Sequence, residues 1–295
     1  GMRAVLREYG ERVLIGEIYL PVERLVAYYG ADLAGVDLPF NFQLIQTPWN
    51  ARSVAELVVA YEDALPPGGW PNWVLGNHDQ SRIAARVGDA QVGIAAMLLL
   101  TLRGTPTLYY GDEIGLAHVT IPPDRVQDPW ERNEPGHGRD PERTPMQWDN
   151  SRNAGFSVGQ PWLPLSPDAA VRNVEGQCDD AQSLLTLYRR LLRLRRDYTA
   201  LSTGEFRRLS ASTDFVFAYE RHDSDATLCI LLNFSASPQM VNDNFETDSS
   251  WDILLSTNLD RHAIRLDSAL VLAANEGLIL LRNSVGIHGA PHISV

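Results

Sequence analysis

Residues 73–82 read WVLGNHDQSR, a short apolar run that passes directly into a polar Asn-His-Asp sequence. The run at 73–78 predicts a β-strand because it is apolar and bounded by turn residues. Three similar runs lie within the first 110 residues, at 12–20 (RVLIGEIYL), 34–42 (AGVDLPFNF) and 105–110 (TPTLYY). All four are almost continuously apolar instead of alternating, which is typical of strands covered on both faces in a parallel sheet.

Helices are predicted between these runs. Ser53 and Glu56 have the spacing of a capping box, and apolar residues then follow at helical spacing on one face. Asp89 is predicted to cap a second, strongly apolar helix that Gly104 brings to an end. Strands and helices therefore alternate. This order indicates an α/β fold with parallel strands, either a doubly wound sheet or part of a (β/α) barrel.

The second half of the chain has a different pattern. Residues 111–180 are rich in Pro, Gly, Asn, Asp and Trp, and irregular segments of this length usually carry function. A helix is predicted at 181–196, and we expect the arginines crowding its C-terminal half to complement the helix dipole and stay solvated. Short runs with strand character follow at 215–221, 228–234, 251–255, 263–266 and 277–282. They predict an all-β domain that begins near 198–203, followed by a loose tail with His288 and His292.

Composition and charge exclude several classes of function. The chain has 295 residues, of which 44% are hydrophobic and 21% charged, as in globular proteins. Its 25 Lys and Arg against 37 Asp and Glu give a net charge of −12, which argues against nucleic-acid binding. No apolar run approaches the length of a membrane span, and the first ten residues are too charged and too short for a signal-peptide core. A cytoplasmic protein without a membrane partner is therefore predicted. Cys178 and Cys229 lie far apart, which disfavours a disulfide framework and a zinc site.

Two acidic residues follow predicted strands at the ends where α/β proteins place their reacting groups. Glu17 lies near the end of the first run, and Asp79 closes the third run 62 residues later. In a pair of carboxyl groups of this kind, one can stay protonated and act as a general acid while the other stays ionised. Position alone leaves alternatives open, since Glu17 could be a helix-cap or salt-bridge residue, and residues 77–79 could form a loop whose side chains bond one another.

Four motifs resemble, in order and spacing, the later motifs of the α-amylase superfamily of glycoside hydrolases (glycoside hydrolase family 13). They are VLIGEIYLP at 13–21, WVLGNHDQSR at 73–82, GTPTLYYGDEIG at 104–115 and GRDPERTPMQWD at 138–149. The last motif looks most like the α-glucosidase and oligo-1,6-glucosidase branch. The resemblance implies that residues 1–200 are the second half of a (β/α)8 TIM barrel, strands five to eight, with a long loop region at 111–180. Residues 201–295 would then form a C-terminal antiparallel β-sandwich domain.

The resemblance also implies roles for individual residues. Glu17 matches the general acid/base, and Asp79 matches the aspartate that binds sugar hydroxyls and favours the oxocarbenium-like transition state. His78 matches a histidine that hydrogen-bonds the glucose, and Arg143 matches an arginine at the bottom of the pocket. Arg82 is either a further substrate contact or a support for Asp79. The implied ligand is an α-glucoside oligosaccharide, similar to maltose or isomaltose, with no cofactor and no metal ion.

The aromatic and acidic residues of the loop region have more than one interpretation. Trp130, Trp148 and Trp162 could be platforms for sugars, although packing within the loops is the expected role for most of them. Tyr109 and Tyr110 could likewise stack on sugars or belong to the core. The pair Asp112 and Glu113 is expected to form salt bridges in the loop.

One catalytic element of the family has no match in this sequence. The retaining mechanism needs a nucleophilic aspartate, carried in a motif of the Gly-Phe-Arg-x-Asp type, and the 295 residues contain none. We therefore predict a fragment of an α-glucosidase-like enzyme that is inactive alone. An open half barrel also predicts association, either as a homo-oligomer or with another half barrel. The alternatives are a non-catalytic structural or binding relative, and a fragment of a trehalose synthase or sucrose-acting transglycosidase.

Overall fold

The computed structural model describes residues 1–241, 250–261, 264–266 and 270–283. The helices are α1 (Met2–Arg7), α2 (Val22–Leu25), α3 (Gln43–Gln46), α4 (Ala51–Ala64), α5 (Ile83–Val87), α6 (Val92–Thr101), α7 (Pro129–Asn133), α8 (Val174–Cys178), α9 (Leu184–Asp197) and α10 (Thr199–Ser202). The strands are β1 (Ile15–Gly16), β2 (Leu38–Pro39), β3 (Asn72–Val74), β4 (Thr105–Thr107), β5 (Glu205–Arg208), β6 (Val216–His222), β7 (Thr227–Asn233), β8 (Gln239–Val241), β9 (Ser250–Ser256), β10 (Ile264–Leu266), β11 (Leu270–Leu272) and β12 (Gly277–Asn283). His288 and His292 lie outside the described residues.

The first four strands are parallel, as the sequence predicts. β1 pairs with β2 and β3 pairs with β4, and an isolated bridge between Asn41 and Trp73 joins the two pairs. The ladders are only two or three residues long, however, whereas the apolar runs predicted six to nine. Pro39 and Pro106 lie within β2 and β4, and a proline has no N–H to donate to a ladder. The strands are therefore short.

The prediction that these strands are covered on both faces is correct for β3 and wrong for β1. Trp73 is fully buried and joins the main core together with residues of α4 and α6. On the other hand Val13 is 64% exposed and Ile15 is 52% exposed. One side of this parallel array is thus an open apolar face.

The predicted helices are present, but their starts differ. α4 begins at Ala51, because the side chain of Asn50 accepts a hydrogen bond from the Ser53 N–H and caps the helix; Ser53 lies inside it. α6 begins at Val92 and has no side-chain cap. Asp89 is instead part of a short 3-10 turn, and its carboxylate binds Arg172. Both capping predictions are therefore wrong by two or three residues.

The last part of the described chain is dominated by an antiparallel sheet of six strands in the order β10-β9-β12-β7-β6-β5. One face, with Phe217 and Tyr219, packs into the main core shared with the helices. The other face, with Ala218 and Leu231, packs with residues of the two-stranded β8–β11 pair. The prediction of an antiparallel C-terminal sheet is confirmed. The complete β-sandwich and the division into two domains stay predictions.

Arg195 corrects the prediction of a solvated arginine cluster on α9. Its guanidinium donates to the carbonyls of Leu100, Leu102 and Gly104 at the end of α6, and to the carbonyl of Leu201 in α10. Arg195 on α9 therefore links the end of α6 to α10.

Within the described residues, no helix has both the length and the apolar composition needed to cross a bilayer.

Candidate active site

Three of the predicted site residues come together at the ends of the parallel strands. Glu17 follows β1 directly, and His78 and Asp79 follow β3 after a few residues. The ligand-type atoms of the three side chains all lie within 4.8 Å of one another. Glu17 and His78 are exposed and Asp79 is half-buried, so the cluster faces solvent. The expectation that both carboxylates face one cleft agrees with this geometry.

The turn that carries His78 and Asp79 is fixed by Asn77. Its side-chain oxygen accepts a hydrogen bond from the Asp79 N–H at 2.9 Å, and its side-chain nitrogen donates to the hydroxyl of Tyr19 at 2.6 Å. The Tyr19 ring stacks on Phe42 with 4.2 Å between centroids. The side chains of this loop thus do bond one another, and this bonding holds the loop against the segment that carries Glu17.

Two arginines converge on one oxygen of Asp79. Arg143 donates to Oδ1 at 2.9 Å and Arg139 donates to the same atom at 3.1 Å, while the Nε2 of His78 lies 3.4 Å away. Arg143 also donates from Nε to the carbonyl of His78 at 3.0 Å. Among the described residues, none donates to the other carboxylate oxygen, Oδ2. That oxygen remains available to accept a hydrogen bond from a ligand.

Arg139 is the site residue that the sequence reasoning missed. Besides Asp79, its guanidinium binds the fully buried carboxylate of Asp128 at 2.8 and 3.1 Å. The hydrogen bond from Arg139 holds the pKa of Asp128 well below its usual range. Arg139 and Arg143 stand four residues apart in GRDPERTPMQWD, and the presence of two arginines in one motif was the available signal.

Arg82 lies beneath this site and has no exposed surface. It donates to the carbonyls of Tyr110 at 2.7 Å and Glu142 at 2.8 Å, and its guanidinium carbon lies 5.1 and 4.6 Å from the ring centroids of Tyr109 and Tyr110. The observed contacts therefore fasten the loop just before Arg143 to the segment that carries Asp79. A direct contact with substrate would require the guanidinium to leave its buried position.

Asp112 is buried beside this framework and forms no ion pair among the described residues, unlike the loop salt bridge expected for it. Its Oδ2 accepts from the N–H of Tyr109 at 3.3 Å, and its Oδ1 has no hydrogen-bond partner in the described part of the chain. Burial raises the pKa of Asp112 to about 7, although the charges of Arg82 and Arg86 act in the opposite direction.

The raised pKa of Asp112 predicts a pH-dependent stability. Because the folded-state pKa of about 7 exceeds the ordinary value of 3.8, the folded protein binds this proton more tightly than the unfolded chain. The free energy of unfolding therefore falls as the pH rises through this interval, and Asp112→Asn removes that loss. We compare the free energies of unfolding of Asp112→Asn and the wild type, measured by urea denaturation at pH 5 and at pH 8. Their difference should shift by about 2–4 kcal/mol in favour of the variant as the pH rises from 5 to 8. Glu56→Gln, an exposed carboxylate on α4, is the control, and an equal difference at both pH values would contradict the prediction.

Glu17, His78 and Asp79 are also close enough to hold a cation by spacing alone. The two guanidinium groups on Asp79 Oδ1 already supply positive charge at that point, and like charges repel. The donor set therefore suits a neutral, hydroxyl-bearing ligand better than a metal ion.

Comparison with known proteins agrees with this geometry. The profile of the alpha amylase catalytic domain matches residues 1–204. The chain belongs to the α-amylase family. Within the family it is 34% identical over 271 residues to the human amino acid transporter heavy chain SLC3A1, covering 89% of this chain and 38% of that protein. It is 32% identical over 252 residues to the salivary alpha-glucosidase of Aedes aegypti, covering 80% and 43%.

A solved structure of the α-amylase family has the same fold. The trehalulose synthase MutB from Pseudomonas mesoacidophila MX-45 superposes with a TM-score of 0.84 at 26% identity, and the match covers 96% of this chain and 57% of that one. The chain thus spans 38% and 43% of the two curated relatives named above. The fold is that of the α-amylase barrel family.

Proposed function

We propose that this chain carries the acid/base portion of an α-glucosidase-like retaining active site, which removes terminal α-linked glucose from oligosaccharides. The observation that supports this proposal most directly is the convergence of Glu17, His78 and Asp79 within 4.8 Å. Family membership and the α-glucosidase relatives support a glycosidase. Its barrel strands would be strands five to eight, and the β-sheet region would be the C-terminal domain.

The proposed roles follow from the chemistry of each group. Glu17 is the exposed carboxylate of the cluster and can protonate the glycosidic oxygen, then accept a proton from the attacking water. The Oδ2 of Asp79 accepts a hydrogen bond from a sugar hydroxyl, while Arg139 and Arg143 donate to Oδ1 and thereby orient the Asp79 carboxylate. His78 donates to a further hydroxyl. Arg82 acts as a positioning residue that fastens the loop carrying Arg143.

Glycoside hydrolysis with retention also requires an attacking carboxylate. We expect the 295-residue chain alone to release no glucose above background from maltose or 4-nitrophenyl α-glucoside. Co-expression with the N-terminal half of a matched α-glucosidase, which would supply the nucleophile, is expected to produce activity. Turnover by the chain alone that disappears in Glu17→Gln would contradict this proposal.

The similarity to an amino acid transporter heavy chain favours a second candidate, a non-catalytic relative that keeps the fold. The presence of Glu17, His78 and Asp79 in one cluster supports the enzyme instead. The reconstitution experiment separates the two, because a non-catalytic relative would assemble without turnover. Similarity to a trehalulose synthase keeps sucrose-type transglycosylation as a further candidate reaction, which product analysis would identify.

The open apolar face around Val13 and Ile15 suits association with another half barrel. Self-association through this face, the two-domain organisation and the cytoplasmic location stay predictions.

A further inference from the structure

The two carboxyl groups of the candidate active site follow strands that do not pair with each other. Glu17 follows β1, which pairs with β2, and Asp79 follows β3, which pairs with β4. These ladders are two or three residues long, and the link from the end of β2 to β3 is the isolated bridge between Asn41 and Trp73. Backbone pairing in this part of the described chain therefore fixes the separation of Glu17 and Asp79 only loosely.

A side-chain contact spans this separation. The hydroxyl of Tyr19, two residues after Glu17, accepts a hydrogen bond of 2.6 Å from the side-chain nitrogen of Asn77. The side-chain oxygen of the same amide accepts from the Asp79 N–H at 2.9 Å. Because the two ends of the Asn77 amide have different partners, its orientation is fixed. The contact thus runs from the segment that carries Glu17 to the backbone of Asp79.

Tyr19 is itself anchored on the residues that follow β2, the strand between β1 and β3. Its ring stacks on Phe42, with 4.2 Å between centroids and 20° between the ring planes, and Phe42 is 3% exposed. The side chain of Gln43 donates to the carbonyl of Leu20 at 2.9 Å and so holds the backbone next to Tyr19. The Tyr19 hydroxyl is therefore supported from its ring and from its backbone.

The electrostatics of Tyr19 agree with a place close to both carboxylates. Burial raises the pKa of Tyr19, the hydrogen bond from Asn77 acts in the opposite direction, and the charges of Asp79 and Glu17 raise it further. The hydroxyl therefore stays protonated at neutral pH. A neutral hydroxyl can accept from Asn77 without adding a third negative charge to the cluster.

We propose that Tyr19 is a positioning residue, whose hydroxyl fixes the Asn77 turn and thereby sets the placement of Asp79 relative to Glu17. The inference rests on the proposed function, which assigns Glu17 the acid/base role and Asp79 the binding of sugar hydroxyls. Placement matters for the reaction, because a displacement of about 1 Å can lower a rate about 10²-fold.

Tyr19→Phe tests the inference, since it removes the hydroxyl and keeps the ring that stacks on Phe42. In the complex with the N-terminal half of a matched α-glucosidase, we expect kcat for maltose to fall about 10–100-fold. KM should stay within about twofold, because the alignment of the two carboxyl groups acts on the transition state. Tyr28→Phe is the matched control, since Tyr28 is similarly exposed but lies in another turn, Val26–Tyr29, and it should keep wild-type activity. Far-UV circular dichroism establishes that each variant is folded.

A double variant shows whether Tyr19 acts through Asn77. Asn77→Ala is expected to lower kcat at least as much as Tyr19→Phe, because it also removes the acceptor of the Asp79 N–H. Adding Tyr19→Phe to Asn77→Ala should then change kcat less than about twofold, since the partner of the hydroxyl is already gone. Losses that multiply in the double variant would show that the hydroxyl acts elsewhere and would overturn the inference.

A measurement without turnover separates this inference from the proposed function. In the full 295-residue chain, amide hydrogen exchange of Asp79, measured by NMR, should become about fivefold faster in Tyr19→Phe, the effect of one lost hydrogen bond. Exchange at the wild-type rate would overturn the inference, whether or not the complex is active. Faster exchange with unchanged kcat in an active complex would overturn it as well. Faster exchange in a chain whose complex has no turnover would support the positioning of Asp79 by Tyr19 and overturn the proposed function.

Discussion

Replacing Glu17 by Gln is expected to lower glycosidase activity about 10²–10⁴-fold, the usual contribution of a general acid/base. The activity is that of the complex formed with the N-terminal half of a matched α-glucosidase. Gln keeps the size and hydrogen-bonding ability of the side chain but cannot transfer a proton to the glycosidic oxygen. The loss of kcat/KM should be large for maltose, whose leaving alcohol needs that proton, and smaller for 4-nitrophenyl α-glucoside, whose leaving phenol does not.

The control for this prediction is Glu23→Gln. Glu23 is exposed on α2, six residues along the chain, and contributes nothing to the cluster. Saturating azide should restore part of the turnover of Glu17→Gln with the nitrophenyl substrate, since an anionic nucleophile needs no base. Equal losses with both substrates and no effect of azide would assign Glu17 a structural role.

The proximity of Glu17 and Asp79 could be predicted from sequence because it depends on a short-range rule. Each follows an apolar run, and the carboxyl ends of parallel strands meet at one edge of a sheet. Their roles, by contrast, came from the resemblance of the surrounding motifs, since the same residue types at a strand end also occur as caps and salt-bridge partners.

Arg139 was missed because its position depends on contacts that no periodicity records. It is brought to Asp79, 60 residues away, by the buried carboxylate of Asp128 inside an irregular loop. Asn50 was missed as the cap of α4 for a related reason, since Ser53 has an equally good capping pattern and only the backbone geometry separates the two. Sequence patterns thus predicted the helices, the strands and the residues at the strand ends. The hydrogen-bond and ion-pair partners of side chains such as Arg139 depend on the folded loops.

Arg221 is a second arginine whose contacts no sequence pattern predicts, and it lies in the core between the helices and the sheet. It is fully buried on β6, and its guanidinium donates to the carbonyls of Thr101, Leu201 and Gly204, the last two at 2.8 and 2.9 Å. Thr101 is the last residue of α6, so the arginine binds a carbonyl that helix geometry leaves without a partner. Burial lowers the pKa of Arg221 to about 10, so the group remains charged at neutral pH.

Arg221→Ala is therefore expected to lower the free energy of unfolding by about 3–5 kcal/mol. The substitution leaves buried carbonyls without donors and opens a cavity between α6 and the sheet, and each effect is destabilising. Arg221→Lys should give an intermediate loss, because a single ammonium group cannot reach all of these carbonyls at once. Urea denaturation followed by circular dichroism measures the change. Arg208→Ala, an exposed arginine on the neighbouring strand β5, is expected to stay within about 0.5 kcal/mol of the wild type. A loss below about 1 kcal/mol for Arg221→Ala would show that the helices and the sheet are held together by apolar packing alone.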